Sequence, residues 1–591
     1  MNKQTETVLN YHNRTKHRLE RYAKGPESID WEDQPDQFRR FSGCDIVTLP
    51  RPGTELEPLF AELDNPETIP AKPLNLTNAG LLLELAFGLS AWKQYGPSRW
   101  ALRCNPSSGN LHPTEAYLIS TGDDLIKSGV YHYVSHDHSL EQRCRFSDNF
   151  SDSGILIGLS SIHWREAWKY GERAYRYCQH DTGHALGALR YAAATLGWSV
   201  ELLAEWPDED IAKLLGLDRD DFKALEHESP DLVCQINTHP IFDKNTNRGY
   251  CHPLPPGEGW GEGIQKSANR QRLQYKALLE SAQSGTWFGK ADSLRAYHMY
   301  KWPIIDAVST AASKPRTEEP GRQTVRRPPR MAAETAPGSP RHFLHPWRSE
   351  VSQSVGNRCD QHAIETSCTK TATQIIRQRR SAQQFDGKMP PLPITKFYRM
   401  LAAVLPTTAA FELWRWPPKI HLFIFVHRVE GLAPGIYALP RNHDALAKLQ
   451  AATLTDFDWQ KVSEEIPLYH LYSGDCRQIA KTVSCHQPIA SDSAFSLGMV
   501  AEFGETIEAA PWLYRRLFWE CGLIGQVLYL EAEAAGIRGT GIGCYFDDSV
   551  HEILGFKDDK FQSLYHFTVG KPLEDKRLET LPAYGHLSDV V

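Results

Sequence analysis

A run of residues recurs 339 positions further along this 591-residue chain, in one ungapped register. Tyr175-Arg176 returns as Tyr514-Arg515, Gly183 as Gly522, Leu189 as Leu528 and Ala193 as Ala532. Gly197 returns as Gly536, and Leu215-Gly216 as Leu554-Gly555. A register that holds over some forty residues marks an internal repeat, and the order of elements around it is also repeated. Each copy reads as helix, strand, turn-plus-strand, long helix and closing strand. The chain is therefore expected to be a tandem duplication whose two halves pack as an intramolecular pseudo-dimer, whether or not that monomer dimerises again.

The first copy places a helix over residues 74–92, with Asn75 or Thr77 as its N-cap, then mostly helix over 165–196. A charged helix at 207–226 and a closing strand at 232–236 follow. The second copy places strands at 420–426, 434–437 and 565–569 around a long helix at 512–535. Between them, the Pro/Gly-rich run 253–263 reads as a linker, 266–312 as a helical insert, and the Pro/Arg/Ser-rich run to about 350 as disordered. The expected segments are 1–252, 253–360 and 361–591.

Where the copies differ, they differ in residues suited to chemistry. Arg103 to Glu115, with Pro106-Ser107-Ser108-Gly109-Asn110 at its centre, is turn chemistry leading into a short strand. It gathers hydroxyls, an amide and free N–H groups, which suit a flat heterocycle with polar edges. Residues 405–410 of the second copy lack the Gly and the Asn. Conversely, Gly539-Thr540-Gly541-Ile542-Gly543 has Val200, Leu202 and Ala204 at the glycine positions of the first copy. Glycines there would let a ligand approach the backbone. The second copy opens on Arg377-Gln378-Arg379-Arg380-Ser381, a phosphate-like cluster, against Arg14-Thr15-Lys16-His17 in the first. Each half keeps a different part of one site, so a single composite site between the halves is expected.

These residues carry a resemblance. Arg379-Arg380-Ser381, Asn105 to Pro113, Lys169 to Arg173, Gly522 to Gly536 and Gly541 to Gly543 are similar to motifs of the nitroreductase-like flavoproteins, and within them of the SagB-type dehydrogenases, which include azoline oxidases. The resemblance covers both halves but not 253–360. It implies an α+β fold of two fused nitroreductase-like domains that hold FMN between them. It also implies that Arg379, Arg380 and Ser381 grip the phosphate, and that Pro106, Ser107, Ser108 and Asn110 line the isoalloxazine or ribityl part. Gly541, Ile542 and Gly543 would offer N–H groups to the ring. Arg577, or its neighbour Lys576, would complete the phosphate site, with Lys571 as a competitor. Lys169-Tyr170 resembles the Lys-Tyr pair of azoline oxidases that accompanies proton transfer from substrate.

Four other signals are set aside. His180 and His184 have zinc-like spacing but no third ligand, and Asp181 between them reads as a helix cap. Gly285 to Lys290 is one residue short of a phosphate-binding loop. Gly539-x-Gly541-x-Gly543 follows a helix, so it is not a dinucleotide fingerprint. Cys485-His486 needs geometry before it can be read as a nucleophilic pair.

A net charge of −7 argues against nucleic-acid and anionic-membrane partners. Twelve cysteines without a C-x-x-C pair fit reduced thiols. Residues 1–21 lack an apolar signal core, and the most apolar window, 79–92, is too short for a bilayer and carries Glu84, so a cytoplasmic location is expected. The expected function is an FMN-dependent oxidoreductase acting on a small-molecule or peptide substrate such as an azoline. An NAD(P)H-dependent nitro or quinone reductase is the first alternative, and a degenerate, non-catalytic scaffold the second.

Overall fold

A computed structural model describes residues 2–51, 56–147, 150, 153–239, 275–295, 297–316 and 368–587. The 253–263 linker and nearly all of the Pro/Arg/Ser-rich run lie outside the described residues.

Two antiparallel sheets carry the architecture. The first contains β1 (Thr114–Ser120), β2 (Gly129–Val134), β3 (Ser139–Arg145), β4 (Ile155–Ser161), β5 (Ser199–Leu202) and β6 (Ser229–Asn237). The second contains β7 (Ile420–Val426), β8 (Gly435–Leu439), β9 (Tyr469–Ser473), β10 (Phe495–Glu502), β11 (Arg538–Ile542) and β12 (Phe561–Gly570). In space they run β3-β2-β1-β4-β6-β5 and β9-β8-β7-β10-β12-β11, the same order. Short strands extend each sheet at its β3 or β9 edge. The central strands β1, β4 and β7 are buried along their whole length, which in β7 matches a near-continuous aliphatic and aromatic sequence.

The sheets share one apolar core through the helices α2 (Ala174–Thr195) and α3 (Leu513–Ala534). α2 is buried all round, so its Ala-rich composition serves close packing rather than an amphipathic face. The two helices meet symmetrically in the register of the sequence repeat. Tyr175 stacks on its counterpart Tyr514 at 6.4 Å with the rings nearly parallel. A Cβ on Gly183 would lie 2.2 Å from the Trp519 carbonyl oxygen, and one on Gly522 would lie 2.2 Å from that of His180. The contact is isologous, each residue meeting its partner's equivalent. Gly522→Ala puts a methyl group against backbone, which cannot swing aside, and is expected to destabilise the fold by about 1–3 kcal/mol, read as a lowered thermal midpoint.

Both chain ends cross between the halves. Helix α1 (Lys3–Arg14) reaches the second sheet, where His12 Nε2 pairs with Gln562 Oε1 at 3.1 Å. The late strand Glu579–Leu581 pairs with Leu89–Tyr95, itself in a hairpin with Ser98–Arg103. That strand corrects the helix expected over 74–92. The helix runs Leu76–Phe87 with Asn75 as its cap and ends at Gly88, where the Tyr584 hydroxyl accepts from Leu89 N at 2.9 Å and starts the strand. The charged helix expected over 207–226 stops at Asp208–Leu215, ended by Gly216 at φ +69°. The described part of the 266–312 insert mixes strand with helix, since Thr286–Trp287 joins the first sheet and Pro303–Ala311 is helical. Among the described residues no helix is long and apolar enough to cross a membrane.

Candidate functional site

A cavity of about 420 Å³ opens between the halves, within the range of small-molecule sites. Residues 105–110, before β1, form one wall, and Arg379 to Ser381 with Thr540 to Cys544 form another. The structure thus brings residues 105–110 to the same cavity as Arg379 to Ser381 and Thr540 to Cys544. Pro106, Ser107, Ser108, Asn110, Arg379, Arg380, Ser381, Gly541, Ile542, Gly543 and Tyr170 all line it.

The 106–110 loop is held tightly. Gly109, Asn110 and His112 have φ of +59°, +59° and +53°, and the two non-glycine residues adopt a conformation that must be enforced from outside. Asp181 of α2 supplies part of that force, accepting from both the N–H and the hydroxyl of Ser108 at 3.1 Å. Ser107 Oγ accepts from His112 N at 2.8 Å, and Asn110 Nδ2 donates to Ala101 O at 2.7 Å. These side chains are spent on the shape of the loop. Buried polar atoms left without a hydrogen-bond partner on the cavity wall include Asn105 Oδ1 and His112 Nδ1. A Cβ on Gly109 would lie 2.5 Å from the Tyr170 hydroxyl, so only glycine lets the loop and the phenol share this wall.

Asp181 is not the helix cap that the sequence suggested; it lies inside α2, buried, facing the loop. Burial pushes its carboxyl up to about 7 against the opposing hydrogen bonds of Ser107 and Ser108. An acid raised above its unfolded value favours the folded state below that value, so stability contributed by its proton is lost as pH rises from about 3.8 to about 7. Asp181→Asn should flatten that slope in chemical denaturation followed across this window. His180 stacks on Tyr565 at 4.1 Å, and His184 Nε2 meets the Tyr565 hydroxyl at 3.0 Å, so both histidines pack against β12.

The basic wall holds cations without carboxylate partners. Arg379 donates to Cys104 O at 3.1 Å and Arg103 O at 2.9 Å, pinning the far half. Arg380 donates to Ser90 O at 2.9 Å and to the carbonyls of Arg377 and Arg379 at 2.7 Å. Neither guanidinium forms an ion pair among the described residues, and burial, then Arg379, lowers Arg380 to about 10. Ser381 Oγ shares a hydrogen bond of 2.8 Å with the Tyr529 hydroxyl, which accepts from Gly541 N at 2.8 Å.

Gly541 of β11 and Gly543 just after it stand close to tyrosine side chains. A Cβ on Gly541 would fall 1.9 Å from the Tyr565 hydroxyl, and one on Gly543 2.4 Å from Tyr177. Their missing side chains admit these tyrosines rather than leaving the space open to a ligand. Two nominated residues stand off the wall. Lys169 is half-buried behind Tyr170, its Nζ 5.3 Å from that ring and 5.5 Å from that of Trp31. Arg577 is exposed and off the lining, pairing at 2.7 Å with Asp575, which is on it. Lys93 and Arg538 line the cavity instead, Lys93 donating to Thr580 Oγ1 at 2.6 Å and Arg538 pairing with Glu574 at 2.7 Å. Arg538 was adjacent to the glycine run, whereas an isolated Lys93 carried no sequence signal.

Residues 82–226 match the family model described as "Nitroreductase family". The chain is 22% identical over 160 residues, 24% of its own length and 76% of the relative's, to "Putative nitroreductase MJ1384" of Methanocaldococcus jannaschii. Its fold is similar to that of a crystal structure described as a "putative nitroreductase" of Anabaena variabilis, with a TM-score of 0.61 and 20% identity, covering 96% of this chain and 99% of that one. A chain of the E. coli microcin synthetase McbBCD complex aligns over 40% of this chain and 92% of its own at 18% identity, with a TM-score of 0.24, too slight a likeness to bear on function. The fold is nitroreductase-like.

Proposed function

We propose that this chain is an FMN-dependent oxidoreductase of the SagB-type dehydrogenase group, with one flavin site built from both halves of a tandem duplication. The observation that carries the proposal is a buried guanidinium, Arg379, beside a half-buried one, Arg380, neither with a carboxylate partner among the described residues, in a cavity between the halves. Buried cations of this kind call for an anion, and a phosphate fits. Asn105 Oδ1, orphaned across the cavity, suits a donor on a polar-edged ring. Arg380, with Lys93 and Arg538 nearby, would hold the phosphate, and residues 105–110 the ring or ribityl part. The symmetric meeting of α2 and α3 and the shared strand order support the duplication and its pseudo-dimer.

FMN bound here would supply two-electron redox chemistry. The Tyr170 hydroxyl lies on the same wall, and Asp181, raised to about 7, can hold or release a proton at neutral pH. Burial lowers Lys169, which stacks behind Tyr170 and so positions that phenol. Asp181, when ionised, would accept the proton that leaves a substrate carbon during dehydrogenation, as the azoline reading requires, and the Tyr170 hydroxyl, which burial keeps protonated, would relay it.

The absorbance spectrum of purified protein, with released flavin quantified per chain, tests the proposal. One FMN per chain is expected. Two would require a second competent site, and none after incubation with excess FMN would leave a non-catalytic scaffold. Bleaching of the bound flavin by NAD(P)H without oxygen would replace the dehydrogenase reading with the reductase one.

A further inference from the structure

The residue after the Gly541–Gly543 run is Cys544, which lines the cavity, and its sulfur lies 2.8 Å from that of Cys485. Both thiols are free and partly exposed, so a small solute reaches them. The flavin reading gives them no task.

The surroundings hold the pair together. Phe546 N donates to Val483 O at 2.8 Å, and Gln487 Nε2 donates to Cys544 O at 3.1 Å, so the two segments are laced on both sides of the sulfurs. Cys485 and His486 have φ of +52° and +59°, two left-handed non-glycine residues in succession where the thiols meet. His486 packs on Phe546 with ring centroids 5.3 Å apart, so the cysteine's close partner is Cys544 and not its neighbouring histidine. The hydrogen bond shared with Cys485, and then His17 and Arg173, hold the Cys544 thiol below its ordinary range, against burial. A low thiol beside a second sulfur has the chemistry of an attacking cysteine with its resolving partner.

We propose that Cys485 and Cys544 form a reversible dithiol–disulfide site on the cavity wall, oxidised by hydroperoxides. The Cys544 thiolate attacks a peroxide oxygen; the S–O bond forms, the O–O bond breaks, and the leaving oxygen takes a proton from solvent to depart as water or an alcohol. The Cys485 thiol then attacks the Cys544 sulfenic sulfur. The S–S bond forms, the S–O bond breaks, and water leaves with the Cys485 proton. Two thiols are oxidised by two electrons and one peroxide is reduced. A disulfide needs the sulfurs at about 2.05 Å, an approach within reach of side-chain rotation from the present separation. The bond would tie the segment after Arg477–Val483 to the segment after β11, fixing that part of the wall.

Pre-reduced full-length protein, freed of reductant, is treated with hydrogen peroxide, unfolded in N-ethylmaleimide, digested without reduction and mapped by mass spectrometry. The expected result is a peptide joining Cys485 to Cys544, loss of alkylation at both together, and recovery of both with dithiothreitol. In Cys485→Ser the cross-link should vanish, with Cys544 found as its oxyacid. The wild-type map decides alone if that variant fails to fold. Both cysteines alkylated after peroxide, Cys544 joined to another cysteine, or Cys544 at the sulfinic stage beside an alkylated Cys485 would each overturn the proposal.

Discussion

Asp547→Ala is expected to cost about 3–5 kcal/mol of stability, the usual effect of removing one partner from a buried ionic cluster. Its carboxylate takes Arg173 Nη1 at 3.0 Å, Arg176 Nη1 at 2.8 Å and His17 N at 3.0 Å, and all of these groups are buried. The arginines stand at the start of α2 and His17 follows α1, while Asp547 follows β11, so the cluster joins the halves. Truncation strands two guanidiniums in the interior with no other carboxylate. Arg173 Nη2 also donates to Gly543 O at 3.1 Å, so the loss should reach the cavity wall. Urea denaturation should show the lowered midpoint, and an unchanged midpoint would refute the assignment. The pH dependence follows from the same contacts. Arg173 and Arg176 depress the Asp547 carboxyl below its ordinary value of 3.8 despite burial. Its contribution is therefore complete above the unfolded value and is lost as pH falls through the folded one. The wild type should lose stability below about pH 4 more steeply than the variant.

This cluster also marks the limit of what the chain's order reveals. The long helices and their common spacing were legible in the chain, because identities at constant spacing survive in a linear string. Arg173 and Tyr177 were visible as residues, but their convergence on Gly543 depends on how α2 packs against β11. Asp181 was misread as a cap for a related reason. Its meaning lies in a loop more than seventy residues earlier, which no local spacing encodes. Gly541 and Gly543 were legible as a requirement for room but not as to what fills it, since Tyr565 and Tyr177 come from distant elements. Arg577 was assigned to the phosphate by resemblance, and in the structure it is exposed and paired with Asp575 two positions away. Lys93 reached the cavity only because Gly88 ends a helix early and turns the chain into a strand.

Arg380→Ala is expected to weaken FMN binding by about 2 kcal/mol, the low end of the range for truncating one member of a hydrogen-bonded charge pair, because the side chain is half-buried. The variant removes a side chain whose own bonds go to backbone carbonyls, one of them Ser90 O on the far half. A loss of binding could therefore come from loosened halves rather than a lost phosphate contact. Riboflavin separates these causes, since it has the ring and ribityl chain without the phosphate. If Arg380 meets the phosphate, the substitution should weaken FMN strongly and leave riboflavin nearly unchanged, as fluorescence titration would show. If Arg380 acts by holding Ser90, both ligands should weaken alike, and the phosphate assignment fails. Arg379→Ala cannot serve, because its guanidinium ties down the carbonyls of Arg103 and Cys104 beside the 105–110 loop and would disturb the ring wall as well. Ser107→Ala is the converse probe. It releases the bond from His112 N that shapes the loop, so it should weaken FMN and riboflavin by the same factor. Opposite signatures from two walls of one cavity are what a composite flavin site requires, and a cavity that binds neither ligand would show neither.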